Sequence, residues 1–283
     1  MTNIKYNLSM FKEPEFKIIR ELSQVEFDRY SKYIMRLIFL KNDENLFKIV
    51  ELNYDDLIKK IQNATDELAQ GINNTSEQQC LHLEINRLIL NLLSSIRTYL
   101  DHTETRFKRE YGIKSAEFNI FKTVTSKVYD ENFAYRFLYK LRNYSQHCGL
   151  PAGSLKAHSF SENQVSKYIL ELSLLRDELL KNFEWGNPLT KELKQQEQIF
   201  DIISLIKTKF HLLQTINENV KDLSYHHYKE EGLALLNLLQ EIEDKDGAPC
   251  IFATKQITDN QAQLNIHWFP FDGITKITGV KLY

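Results

Sequence analysis

The feature that most constrains the fold of this chain is a long apolar stripe with the period of an α-helix. Between Glu77 and Tyr111, apolar positions recur every three or four residues. These positions are Leu81, Ile85, Leu88, Leu92, Ile96, Tyr99 and Leu100. A stripe of this length predicts one amphipathic helix that has to pack against other helices.

The composition also favours long helices. The chain has 9 glycines and 5 prolines among 283 residues, which is less than about half of the usual share of these turn-forming residues. A chain of this length is large enough to bury a core without a metal or a disulfide. We therefore predict a mainly α fold.

The N-terminal part has weaker helical signals. Apolar spacing predicts a helix over Gln24–Leu40 and a second, short helix that begins near Asp55, with Leu46–Leu52 as an extended piece between them. A polar break follows at Gly71–Ser76. We predict that residues 1–74 form an N-terminal helical extension.

The middle of the chain is predicted to contain a second central helix. After Gly112, a looser stretch leads to Asp130-Glu131, whose acidic side chains suit the start of a helix. Gly149 and Pro151 are typical of its end. Its predicted core positions are Phe133, Phe137, Leu141 and Tyr144.

A third central helix is predicted to follow. Ser161 and Gln164 have the spacing of a capping box for a helix that continues to Leu180. The sequence Trp185–Pro188 then indicates a turn. We predict that residues 75–185 form one helical domain.

The C-terminal part, residues 186–283, is expected to combine helices with a small β-hairpin. Two further apolar stripes predict helices around Ile199, Ile202, Ile203, Ile206, Phe210, Leu213, Ile216 and Val220, and around Leu235, Leu239 and Ile242. After Gly247, the segments Cys250–Ile257 and Gln263–Phe269 are typical of two hairpin strands, and Phe271–Tyr283 is expected to be irregular or extended.

The cysteines and the apolar runs indicate the cellular compartment of the protein. Cys80, Cys148 and Cys250 are odd in number and far apart, which predicts free thiols and a cytoplasmic protein. The N-terminus lacks the continuous apolar region of a signal peptide, and the longest apolar run, Tyr33–Leu40, is interrupted by Arg36. We expect a soluble protein without a membrane span.

The common catalytic signatures are absent from the sequence. It contains no GxxxxGK[ST], GxGxxG, GxSxG, HExxH or CxxC pattern. His226 and His227 are adjacent and cannot share one helix face, and Cys148 next to His147 is expected to be a buried structural thiol. We therefore predict no metal and no cofactor.

Charge is unevenly distributed along the chain. The net charge of −2 excludes a strong overall basic field, but Arg106–Arg142 contains nine basic and four acidic residues. This modest basic patch is compatible with a nucleic-acid partner, and it is equally typical of a solvated helix face.

An arginine and a histidine five positions apart remain as candidate catalytic residues. They are Arg142 and His147 in the sequence Arg-Asn-Tyr-Ser-Gln-His. On a continuous helix this spacing separates the two side chains by about 140°. Because Gly149 and Pro151 follow, we expect the helix to stop and the imidazole to leave helical register, so that it can approach Arg142.

The stretch Phe137–His147 resembles the RX4–6H motif of HEPN domains, including the polar residue directly after the arginine. The resemblance extends over roughly residues 76–183. It implies an antiparallel helical bundle of the HEPN type with metal-independent endoribonuclease activity. It also implies a homodimer in which two motifs meet at a shared cleft, a toxin or antiviral-defence role, and an inhibitory or activating protein partner.

The residue types fit the chemistry that this resemblance implies. RNA supplies its own nucleophile, the 2′-hydroxyl, so the enzyme needs an acid or base and a cation. His147 would be the acid or base, Arg142 would stabilise charge on the phosphoryl oxygens, and Asn143 would bind a phosphate oxygen or orient the histidine. We expect RNA as the partner and 2′,3′-cyclic phosphate ends as the product.

Several further cations are candidates for RNA contacts. Lys140 and Arg136 are expected on one RNA path with Arg106–Lys114. Arg97 and His102 repeat the five-residue spacing on the long helix. Two interpretations of that repeat stay open: Arg97, Asp101 and His102 line the same cleft, or Arg97 and Asp101 form a salt bridge between successive helix turns.

A non-catalytic interpretation is also open for the motif itself. Arg142 and His147 are cations near a helix C-terminus, where they interact favourably with the helix dipole and the last carbonyl groups. The alternative function is accordingly a non-catalytic helical module for dimerisation or for RNA or protein binding.

Overall fold

The computed structural model describes residues 4–70, 75–162, 165–243, 246–258 and 261–282. Helices dominate this part of the chain, so the prediction of a mainly α fold is confirmed. The helices are α1 (Gln24–Ala69), α2 (Thr75–Glu110), α3 (Ala116–Glu131), α4 (Phe133–His147), α5 (Arg176–Asn182), α6 (Leu189–Gln195), α7 (Ile202–His227), α8 (Lys229–Gln240) and α9 (Phe271–Thr278). The strands are β1 (Ile4–Lys12), β2 (Glu15–Leu22), β3 (Ser154–Glu162), β4 (Val165–Leu175), β5 (Ile199–Asp201), β6 (Ala248–Thr258) and β7 (Gln261–Trp268).

The chain divides into two compact units. One unit comprises Met1–Glu44 together with Lys221–Tyr283, and the other comprises Asn45–Val220. These boundaries differ from the divisions after residues 74 and 185 that the sequence predicts. The difference arises because α1 and α7 are long helices that each contribute residues to both units.

The first unit is built on a four-stranded antiparallel sheet with the order β2-β1-β6-β7. The strands β6 and β7 pair as neighbours, but they are half of this sheet rather than an isolated C-terminal hairpin. The predicted turn residues Asp259 and Asn260 lie outside the described residues. On β1, Ser9 pairs with Cys250 of β6, which brings the two ends of the chain together.

The N-terminal strands contradict the prediction of a wholly helical extension. In β1, the apolar residues Tyr6, Leu8 and Met10 alternate with polar ones, which is the period-two pattern of a strand, and the polar residues Asn7 and Ser9 are buried as well. Leu8 and Met10 belong to the same core as Ile34, together with residues of α8 and α9. Burial of this apolar side against helices stabilises the sheet.

The second unit contains the helices that position the candidate site. The prediction of the long helix α2 is confirmed, and it packs with α3 and α4. Residues 112–129, expected to be looser, largely form α3, whose first turn is capped by the Ser115 hydroxyl. Asp130 and Glu131 therefore end α3 rather than open α4, which begins after Asn132.

Two other predictions for this unit are wrong. Leu46–Leu52 is helical, because Phe47 and Val50 are buried on the inner side of α1. The segment predicted as a helix from Ser161 to Leu180 is mostly the strand β4, which pairs with β3, and only its end belongs to α5; Gln164 lies outside the described residues. Buried residues of β4 follow the period of a strand: Leu170, Leu172 and Leu174.

Smaller differences occur elsewhere. The helix predicted from Ile199 begins at Ile202 after the short strand β5, and α9 occupies the region from Phe271 that was expected to be irregular. All three cysteines are free thiols, as predicted, but Cys148, which was expected to be buried, is exposed because it follows the last residue of α4. None of the described helices combines the length and apolar character that crossing a bilayer requires.

Candidate functional site

The position of α4 is fixed by its apolar face. Phe137 and Leu141 are fully buried, and Phe137 and Tyr144 both stack on Trp185 with ring centroids 5.3 and 5.7 Å apart. The indole Nε1–H of Trp185 donates to the carbonyl oxygen of Leu179 at 2.8 Å. This packing leaves the opposite side of α4 available for polar side chains.

The segment after α4 is anchored on α2. The helix ends with a hydrogen bond in which the backbone N–H of Cys148 donates to the backbone carbonyl oxygen of Tyr144 at 2.8 Å. The chain then returns to α2, where Asn86 accepts from the backbone N–H of Ala152 at 2.8 Å and donates to its carbonyl oxygen at 3.3 Å. Because Asn86 is fully buried, it holds this turn without competition from water.

The three motif residues lie on the last two turns of α4. Arg142 and Asn143 are half-buried, whereas His147 is exposed at the final position of the helix. An Nη of Arg142 donates to Gln146 at 3.1 Å, and its buried Nε has no hydrogen-bond partner among the described residues. The guanidinium therefore retains donor capacity for a further acceptor.

The expectation that His147 leaves helical register is wrong. The helix continues through His147 and ends at Cys148. Gly149 and Pro151 come after this end, so they do not release His147 from the helix. At about 100° per residue, Arg142 and His147 then point about 140° apart. A single copy of the chain does not bring these two side chains onto one face of α4.

The salt-bridge interpretation of the second pair is confirmed, whereas the cleft that Arg97 and Asp101 line includes neither Arg142 nor His147. Arg97 forms a salt bridge with Asp101, with Nε and Oδ2 2.7 Å apart, and both residues line a cleft of about 450 Å³. His102 is exposed and is not part of the cleft lining. Lys140 also lines the cleft, so three of the four predicted substrate-binding residues lie around it.

The cleft is formed by α2, α3 and α4. The lining residues include the cations Arg97, Lys122 and Lys140, the acids Asp101, Glu104 and Asp130, and the aromatic residues Phe121, Tyr129, Tyr135 and Tyr139. The guanidinium carbon of Arg97 lies 4.8 Å from the centroid of the Tyr139 ring. Because Arg142 is three residues after Tyr139 and seven after Tyr135, the motif arginine and these tyrosines share one face of α4.

The structure reveals a candidate functional residue that sequence reasoning missed. Lys209 of α7 is 2% exposed, and its ammonium lies 4.9 Å from the centroid of Tyr135 and 5.9 Å from that of Tyr139. Burial, followed by the charge of Arg97, lowers the pKa of Lys209 to about 7. Lys209 forms no ion pair with the described residues. The two tyrosine rings are therefore the neighbours that favour its charged form.

A signal for Lys209 is present in the sequence. It occupies one position in a stripe of otherwise apolar residues that are all buried: Ile202, Ile206, Leu213, Ile216 and Val220. A lysine at the spacing of a core position indicates a buried amine, which is uncommon unless it has a function.

One predicted RNA-binding cation is excluded. Arg136 is 5% exposed, and its guanidinium forms a two-pronged ion pair with Glu192 and donates to the Tyr129 carbonyl oxygen. Its donors are therefore used inside the protein rather than presented to RNA. In Arg106–Lys114, Arg106 pairs with Glu110 at 3.2 Å, and Lys108 pairs with Glu104 at 2.7 Å.

The described residues contain no group of three or more histidine, cysteine, aspartate or glutamate side chains arranged to hold a metal ion. The polar chemistry of the site therefore comes from the motif residues, from the cations and tyrosines of the cleft, and from Lys209. Comparison of the chain with protein-family models, with curated proteins and with solved structures finds no match.

Proposed function

We propose that this protein is a metal-independent endoribonuclease whose catalytic groups are Arg142, Asn143 and His147. The observation that supports the proposal best is the placement of Arg142: a half-buried guanidinium whose Nε has no hydrogen-bond partner among the described residues, five residues before an exposed histidine. RNA cleavage requires a cation and an imidazole at the same phosphate, so in the proposed enzyme Arg142 and His147 have to meet across two copies of the chain.

In the proposed reaction, the 2′-hydroxyl of RNA attacks the adjacent phosphorus atom and the bond to the 5′-oxygen breaks. His147 accepts the 2′-hydroxyl proton or donates a proton to the leaving 5′-oxygen, and solvent water carries out the other of these two proton transfers. Arg142 stabilises the negative charge on the non-bridging oxygens. Asn143 binds a phosphate oxygen. The products are a 2′,3′-cyclic phosphate and a 5′-hydroxyl.

The angle of about 140° between Arg142 and His147 favours a site shared by two copies of the chain, arranged as a HEPN-type bundle in a homodimer. One copy then contributes the arginine and the other contributes the histidine. The same angle supports the second candidate function, a helical module that binds RNA or a protein without cutting.

The test is cleavage of labelled RNA in excess EDTA by the wild type, Arg142→Ala and His147→Ala. The matched controls are Arg87→Ala, an exposed arginine on α2, and His211→Ala, an exposed histidine on α7. We expect the two motif variants to lose cleavage and the two controls to retain it. Products with 3′-hydroxyl ends, or cleavage that persists in both motif variants, would contradict the proposal.

A mixing experiment tests the shared site directly. Equal amounts of Arg142→Ala and His147→Ala protein are combined, allowed to exchange subunits and assayed. In mixed dimers one of the two sites has both wild-type groups, so about one quarter of wild-type activity should return. If the site lies within one copy, the mixture stays inactive.

A further inference from the structure

The cleft between α2, α3 and α4 has an aromatic wall. Tyr129 contacts Tyr135 and Tyr139 edge to face, with ring centroids 6.4 and 6.0 Å apart. With a volume of about 450 Å³, the cleft falls in the range of small-molecule sites. It can hold a ligand of about the size of one nucleotide.

The cleft lining carries equal numbers of opposite charges: the cations Arg97, Lys122 and Lys140 and the acids Asp101, Glu104 and Asp130. Arg97 pairs with Asp101 at 2.7 Å, and Lys122 lies 3.4 Å from Glu104. Lys140 lines the cleft without an ion-pair partner among the described residues.

The buried ammonium of Lys209 adds a positive charge behind the wall. It lies against Tyr135 and Tyr139, and the residue is 2% exposed. A buried charge without a counter-ion is costly, and an anion in the cleft would supply one.

We propose that this cleft binds a phosphate-bearing ligand, with Arg97 and Lys140 contacting the phosphate and Lys209 attracting it from beneath the tyrosines. A guanidinium matches two phosphate oxygens at once, which a point cation does not. A cationic ligand is disfavoured because Arg97 and Lys209 already lie against the Tyr139 ring.

Binding at this site is coupled to a proton. The pKa of Lys209 is about 7 because of its burial and the charge of Arg97, so the amine is partly neutral at neutral pH. The groups against it are Tyr135 and Tyr139 from α4 and Arg97 from α2, and Asp101 neutralises part of the charge of Arg97. A phosphate nearby favours the ammonium form, so binding takes up a proton at Lys209.

The test is isothermal titration calorimetry of the full chain with three probes. They are inorganic phosphate, adenosine 5′-monophosphate, and a dinucleotide whose 2′-oxygen is methylated so that it cannot be cleaved. Titrations at pH 7 in two buffers of different ionisation enthalpy give the protons taken up. The proteins are the wild type, Lys209→Met, Arg97→Gln and the control Lys207→Met, which removes an exposed lysine two residues from Lys209.

We expect at least one probe to bind the wild type and the Lys207→Met control alike. Lys209→Met and Arg97→Gln should each weaken that binding by about fivefold to tenfold. Lys209→Met should also abolish the proton uptake that accompanies binding to the wild type and to the control. Failure of all three probes to bind, or binding that either substitution leaves unchanged, overturns the proposal.

The probes distinguish two sources of the phosphate. Binding of adenosine monophosphate or phosphate alone assigns a free metabolite, whereas binding of the dinucleotide alone assigns the backbone of RNA. None of these measurements requires cleavage. The phosphate site can therefore exist if the ribonuclease proposal fails, and the ribonuclease can exist without it.

Discussion

Arg97 and Lys209 lie against the same aromatic ring, that of Tyr139, at 4.8 and 5.9 Å from its centroid. The first is a partly exposed cation that pairs with Asp101, and the second is a buried amine for which the described residues provide no acidic partner. Because the two charges repel each other in a poorly solvated region, the protonation of Lys209 depends on what surrounds Arg97. This relationship makes the cleft sensitive both to pH and to anions.

Replacing Lys209 with methionine is expected to change how stability depends on pH. The folded-state pKa of about 7 is below the ordinary value of 10.5, so the unfolded chain binds more protons between these values. The wild type should therefore gain about 1 to 3 kcal/mol of unfolding free energy between pH 7 and 9, relative to Lys209→Met. Below pH 7 the buried Lys209 is protonated in the folded state, so the free energy that its charging requires lowers the stability of the wild type in full.

Urea denaturation at pH 6, 7, 8 and 9 measures this difference, with Lys207→Met as the control. Methionine fills much of the same volume without a charge, so the variant should be at least as stable as the wild type at pH 6. Parallel pH curves for the wild type and Lys209→Met would show that Lys209 keeps an ordinary pKa.

The charge of Arg97 is expected to set the pH range over which Lys209 titrates. Its positive charge lowers the pKa of Lys209, so Arg97→Gln removes the repulsion and raises the pKa. The pH range in which the wild-type and Lys209→Met stabilities diverge should then move upward when both are made in the Arg97→Gln background. Arg97→Lys keeps the charge and serves as the matched control. An unchanged range would mean that Arg97 does not act on Lys209.

Asn86 is expected to stabilise the turn that follows the motif. Asn86→Ala leaves the backbone N–H and carbonyl of Ala152 without their side-chain partner in a buried position, which should cost about 1 to 3 kcal/mol. Urea denaturation measures the loss, and Asn91→Ala, an exposed position on the same helix, is the control. Equal stability of the two variants would contradict this role.

The sequence predicted the helices whose apolar stripes are long. The interior of α2, the core positions of α4 and the helix α8 follow directly from spacing. The strands β3 and β4 were missed because Val165, Ile169 and Leu172 also satisfy a helical period over a short range. Pairing with a neighbouring strand, which is a tertiary contact, decided between the two periods.

The candidate site was predictable only where one element determines it. The salt bridge between Arg97 and Asp101 depends on helical spacing alone, so the sequence indicates it. Burial of Arg136 depends on Glu192, which is 56 residues away. The approach of Lys209 to Tyr135 likewise depends on how α7 packs against α4, which no local pattern specifies.

The ion pair between Arg136 and Glu192 offers a last test of how α4 is held. The Arg136 side chain is 6% exposed, so Glu192→Ala leaves a buried guanidinium uncompensated, at a cost of about 3 to 5 kcal/mol. Arg136→Met in addition should recover part of this loss, because an apolar side chain replaces the unpaired charge. A double-mutant cycle measured by urea denaturation should give a coupling free energy of about 1 to 3 kcal/mol between Arg136 and Glu192.

The exposed pair of Arg87 and Glu84 on α2 is the control and should show no measurable coupling free energy. Additive effects at Arg136 and Glu192 would mean that this pair does not position α4.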